Sequence, residues 1–97
     1  MATGHTISPL FSFAGEAMRI SNRVSDLLRS AALPLDSGKA FPMRSSAELC
    51  LGDAISLFDK GNFVDAARRA VDSLSYSVGV FSPVYTSAKA ALGEMSA

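Results

Sequence analysis

The chain has 97 residues, enough for one domain and too few for two, and folding at this size buries only roughly 60–65% of the unfolded surface. Hydrophobic residues make up 48% and charged residues 19%, a globular composition, and nine Lys/Arg balance nine Asp/Glu to a net charge of zero. This balance argues against a dedicated nucleic-acid binder. The single cysteine excludes an internal disulfide, Cys50 with the lone His5 cannot make a Cys/His zinc site, and no apolar run reaches the ~18 residues of a membrane span.

Residues 1–8 are small and polar and read as a flexible tail. They lack the basic start and apolar core of a secretory signal, and Glu16 and Asp26 interrupt the Ser/Arg pattern of a transit peptide, so a cytoplasmic protein is expected. Leu10, Phe13, Ala17, Ile20, Val24, Leu27 and Ala31 then recur at alternating steps of three and four, the seam of a helix. Phe11, Ala14, Met18 and Leu28 widen that stripe on one flank, and Glu16, Arg19, Asn22, Arg23, Asp26 and Arg29 form the opposite, solvated face. The pattern predicts a core-facing bundle helix over residues 12–32.

Residues 33–44 hold Pro34, Pro42 and the turn-forming Asp36-Ser37-Gly38, and predict a long loop pinned to the core by Phe41. Ser45-Ser46-Ala47-Glu48 has the S-x-x-E form of a capping box, opening a second helix over residues 46–60 with Ala47, Cys50, Leu51, Ala54, Ile55, Leu57 and Phe58 at helical spacing. Gly61 stands where a left-handed residue ends a helix, and Asn62 is placed to cap the next one.

The third helix is expected over residues 63–80, with Phe63, Ala66, Ala67, Ala70, Val71, Leu74 and Val78 on its apolar face. Asp65 with Arg69 and Arg68 with Asp72 are spaced as i,i+4 ion pairs. Residues 73–80 also alternate like a strand, but nothing nearby offers a strand partner. Ser82-Pro83 opens a fourth helix over residues 83–94, carrying Val84 or Tyr85, Ala88, Ala91, Leu92 and Met95. The fold class is therefore all-α, a three- to four-helix bundle in a single domain.

Within this frame Gly61-Asn62-Phe63-Val64-Asp65-Ala66, with Ala54 and Leu57 before it, resembles the helical hairpin of one tetratricopeptide-type repeat. It departs from that pattern at Asp53, where leucine is usual, at Ala70, where a bulky residue is usual, and at Pro83, which comes about five residues late. Ala47-Glu48, Asp53-Ala54 and Lys60-Gly61-Asn62 followed by Val64 and Ala66 are also similar to a family of small, uncharacterised archaeal helical proteins. Both resemblances span about residues 47–70, and both imply a helix-turn-helix hairpin and no catalytic residue.

No motif for nucleotide binding or nucleophilic catalysis is present. His5 sits in the expected tail, Cys50 falls on an apolar stripe as a structural thiol, and the carboxylates Glu48, Asp53, Asp59, Asp65 and Asp72 are spread along two helices. The remaining feature is an apolar surplus at Phe11, Met18, Leu28, Phe41, Phe81 and Tyr85, the candidate partner-binding residues. The expected role is a non-catalytic helical interaction module that binds a protein partner or a second copy of itself, with no cofactor, metal, nucleic acid or membrane. Adaptor, chaperone-like protein and inhibitor all fit that description. The alternative is a small ligand- or nucleotide-binding protein using Arg68, Arg69 and Tyr76.

Overall fold

A computed structural model describes residues 2–96, with side chains described from residue 18 onward. Four helices follow one another: α1 (Ala2–Asp36), α2 (Arg44–Asp59), α3 (Phe63–Ser77) and α4 (Pro83–Ser96). No strand occurs among the described residues. The protein is an all-α four-helix bundle, as the periodicity predicts.

The central helix is α3, which packs on all three of the others. Its Ala66, Ala67, Ala70, Val71, Ser73 and Leu74 are all buried, so it shows protein on two sides where a surface helix shows protein on one. Against it α1 buries Val24, Leu27, Ala31 and Leu35, α2 buries Ala47, Cys50 and Ala54, and α4 buries Ala88. Seven of these thirteen buried apolar residues are alanine, and only Val24 and Leu74 are large apolar side chains wholly withdrawn from water. Small side chains at facing positions let helix backbones approach closely. A buried polar tie joins α2 and α3: the Ser73 hydroxyl donates to the Ala47 carbonyl at 2.8 Å and fixes the sliding of α3 along α2.

The turn between α2 and α3 follows from Gly61. Its φ of +83° is left-handed, its N–H donates to Phe58 O at 3.0 Å, and the Asn62 N–H donates to Leu57 O at 2.9 Å, which together form a Schellman motif. The Asn62 side chain makes no capping bond, contrary to expectation; only its carbonyl joins α3, accepting from Ala66 N–H at 2.9 Å. The Phe58 and Phe63 rings meet across the turn at 5.3 Å.

Several boundaries differ from the sequence reading. The segment expected as a tail is helical from Ala2, and α1 continues through Pro34 to Asp36, so the connection shrinks from residues 33–44 to residues 37–43. Pro34 costs one helical hydrogen bond there, while the Ser37 hydroxyl and the Arg44 guanidinium supply donors to the free carbonyls of the last turn. The capping box does not form, because the turn bond from Arg44 N–H to Phe41 O starts α2 early and puts Ser45 inside the first turn. Glu48 instead meets Arg44 at 3.6 Å. Helix α3 stops at Ser77, short of residue 80, because Gly79 turns to a φ of +90°. At α4 the expectation holds: Ser82 Oγ accepts from Val84 N–H at 3.2 Å, with Pro83 first in the helix.

The Cα trace measures 61 × 24 × 19 Å. A 35-residue helix is about 52 Å long at 1.5 Å per residue. The other helices, of 14 to 16 residues, are less than half as long, so α1 accounts for the long dimension.

Two glycines set up a stability test, since a Cβ at Gly61 or Gly52 would meet nothing within 4 Å. Only Gly61 is left-handed, so Gly61→Ala is expected to cost about 1 kcal/mol, and Gly52→Ala within α2 to gain about 0.5–1 kcal/mol. Thermal unfolding should show midpoints moving about 4–8 °C per kcal/mol in opposite directions. A shift in the same direction for both would contradict the turn geometry.

Candidate interaction surface

Neighbouring helices run in opposite directions along the chain, so α1 and α3 end where α2 and α4 begin. Leu33 near the end of α1 lines a hollow with Val78 at the end of α3, and Ala47 of α2 faces Ser73 of α3. One end of the bundle therefore carries both of the longer connections, residues 37–43 and 78–82.

Arg44 organises the first of these. Its guanidinium donates to the Leu35 carbonyl at the end of α1 and to the Lys39 carbonyl at 2.9 Å, and it lies 5.6 Å from the centre of the Phe41 ring. The Ser37 hydroxyl donates to Pro34 O at 2.7 Å, and Gly38 takes the left-handed turn with a φ of +77°. Phe41 is thereby held half-buried beside Leu33, Pro34, Ala40 and Val78, around an open groove of about 440 Å³. The second connection turns at Gly79, whose carbonyl accepts from Ser82 N–H at 3.1 Å. This short turn leaves Val80 half-exposed and Phe81 98% exposed. A second hollow of about 390 Å³ lies between α1 and α4, lined by Leu27, Pro83 and Val84 among others.

Among the described residues, six of the ten large apolar residues left in water lie at this end: Leu33, Met43, Val78, Val80, Phe81 and Val84. Met18 on α1, Leu49 and Ile55 on α2 and Tyr76 on α3 are exposed along the helices, Ile55 contrary to its expected place on the inward face. Residues 78–82 carry no charge at all.

Of the candidate partner-binding residues, the fold brings Phe41 and Phe81 to this end. Met18 is 66% exposed on α1, far from them along the helix. Leu28 and Tyr85 pack against the core instead, with the Lys89 ammonium 5.9 Å from the Tyr85 ring. Phe11 and His5 lie outside the described side chains. Leu33, Val78 and Val80 escaped the sequence reading because Leu33 was assigned to a loop and Val78 to a buried helix face. The available signal was Gly79 followed by two apolar residues and Ser-Pro, a turn with nothing to bury them.

Of the alternative ligand-binding residues, Arg68 and Arg69 both have carboxylate partners, and Tyr76 is 40% exposed in the last turn of α3. Arg68 pairs with Asp65 at 2.8 Å, and Arg69 pairs with both Asp72 and Asp53 at 3.0 Å. The expected i,i+4 partners are thus replaced, because Arg69 faces α2 and is drawn to Asp53 across the helix pair. Its hydrogen bond to the Asp53 carboxylate, above all, raises its pKa still further, with the Cys50 thiol and the bond to Asp72 adding to the effect. On α1 and α4, Arg23 meets Glu94 at 2.7 Å. Among the described residues no group of three or more His, Cys, Asp or Glu could hold a metal ion, and no helix is long and apolar enough to cross a membrane. No protein family, curated protein or solved structure matches the chain.

Cys50, on the α2 face that packs inward, is 4% exposed, and burial raises its thiol pKa above the ordinary 9.0 even though nearby Arg69 pulls it down. The folded chain therefore holds a proton that the unfolded chain releases, so stability present below pH 9.0 is lost as pH rises past it. Urea unfolding across that range should show a declining midpoint, with the decline smaller in Cys50→Ala. A slope unchanged by the substitution would show that the thiol does not contribute.

Proposed function

We propose that this protein is a non-catalytic helical interaction module that associates through the end of the bundle carrying residues 37–43 and 78–82. The supporting observation is the concentration there of exposed apolar side chains, with Phe81 almost fully in water. Scattered apolar residues are ordinary on a protein surface, whereas a contiguous set beside a groove is characteristic of an association surface. The remaining chemistry favours no reaction: the thiol is buried, and Asp53, Asp65, Asp72 and Glu48 are engaged with arginines.

Self-association is the form of the reading that the composition favours, since a chain with zero net charge meets its own copies without long-range repulsion. Adaptor, chaperone-like and inhibitor roles all use such a surface. The hairpin of α2 and α3, bent at Gly61, is of the kind the tetratricopeptide-type resemblance implies.

Light scattering after size exclusion tests the reading. The expected mass rises above 10.1 kDa with concentration, and the double change Val80→Ser, Phe81→Ser returns it to the monomer with helical dichroism intact. Turnover of a substrate by the purified chain, or an apolar end that binds neither itself nor any protein, would refute it.

A further inference from the structure

The apolar end holds two complementary shapes side by side. One is a knob, the 98% exposed Phe81 ring on a sharp turn. The other is the groove of about 440 Å³ between the end of α1 and the end of α3, walled by Leu33, Pro34, Phe41 and Val78. A cavity of about 150 Å³ already lodges a benzene ring, so this groove takes a phenylalanine side chain with room for a neighbour. Phe81 stands three residues beyond Val78 but points its ring into water, so it does not fill the groove of its own chain.

A knob beside its matching groove on one surface is the condition for a two-fold interface, in which each copy inserts and each copy receives. We infer that a second copy of this chain occupies the groove, Phe81 of each copy entering between Leu33, Phe41 and Val78 of the other. The inference rests on the interaction reading above and names its site.

Charge is compatible with this occupant. The groove is lined by one charged residue, Lys39, and the Phe81 turn by none, so docking the turn buries no carboxylate. A stable pair needs about 800 Å² from each copy. Phe81 supplies roughly 150–250 Å² of this, so the interface has to extend over Leu33, Met43, Val78, Val80 and Val84, all exposed at the same end. The groove is preformed as well, because Arg44 holds Phe41 and the end of α1 in place before any partner arrives.

The test is a complementation experiment on the full chain. Phe81→Ser removes the knob and leaves the groove, while Ala40→Trp fills the groove and leaves the knob. Both positions are exposed, and retained helical dichroism shows that each variant folds. If Ala40→Trp does not fold, Leu33→Lys at the same groove takes its place.

Losing one buried aromatic anchor weakens binding about 30-fold, so losing both symmetric contacts should raise the dimer Kd roughly 1,000-fold in each variant alone. An equimolar mixture of the two variants regains one contact. Sedimentation should detect a mixed dimer roughly 30-fold weaker than the native one and far tighter than either variant with itself.

A native dimer indifferent to Phe81→Ser would overturn this inference and leave self-association standing. Two folded variants that fail to rescue each other would overturn it too, since knob and groove would not be partners. A chain monomeric at every concentration removes both the inference and self-association, and a foreign protein captured through Phe81 by such a monomer replaces the second copy as occupant.

Discussion

The architecture depends on a core made chiefly of alanine. Ala54 on α2 clusters with Ala66, Ala67 and Ala70 on α3 with no exposure to water, Ala47 is buried where it faces Ser73, and Ala31 and Ala88 bring α1 and α4 into the same core. Such a core fixes geometry closely, since backbones that approach this near tolerate few relative positions and the Ser73–Ala47 hydrogen bond selects one of them. It also withdraws little apolar volume from water, because an alanine buries a single methyl group. Val24, Leu27, Leu35, Val71 and Leu74 are the bulkier side chains within it. The aromatic and many other large apolar residues lie around the core or outside it: Phe58, Phe63, Tyr85, Leu92 and Met95 at its margin, Leu33 and Phe81 in solvent.

The same constraint connects fold and proposed role. Domains of this length bury a modest share of their surface, and here the surplus is densest at one end of the bundle, with Met18, Leu49 and Ile55 exposed on helix faces besides. Two glycines place it there. Gly38 and Gly79 each turn the chain sharply after a helix, and each is followed within three residues by an aromatic side chain, Phe41 or Phe81. Arg44 determines how those two aromatics differ. Its guanidinium ties the first connection down over Phe41, while no comparable residue holds the second, and Phe81 stays in water.

Electrostatics plays a structural part. Arg69 bridges α2 and α3 through Asp53, and Arg23 bridges α1 and α4 through Glu94. These exposed pairs contribute little free energy each, and none of them involves the turn at residues 78–82, which carries no charge. The candidate ligand-binding arginines Arg68 and Arg69 are paired with Asp65 and Asp72 on their own helix, and Arg69 also with Asp53, whose position depends on helix packing.

What the sequence by itself determined is everything governed by local period and turn chemistry. The all-α class, most of each inward face, the reversal at Gly61 and the helix start at Ser82-Pro83 depend on neighbours within about four residues, and these are legible in the string, which gives three to four helices. Tertiary structure alone decided how the end of α1 is closed, by the Arg44 guanidinium reaching back from the start of α2 to the Leu35 carbonyl. Ser45 and Asn62 have the right identity for caps but lost the role to local turn bonds, Arg44 N–H to Phe41 O and those of Gly61 and Asn62 to the preceding helix. It also decided which apolar residues remain uncovered. Leu28 and Phe81 are alike in a hydrophobicity count, yet one packs against the core and the other stands in water, because exposure depends on which other helix ends arrive beside a residue.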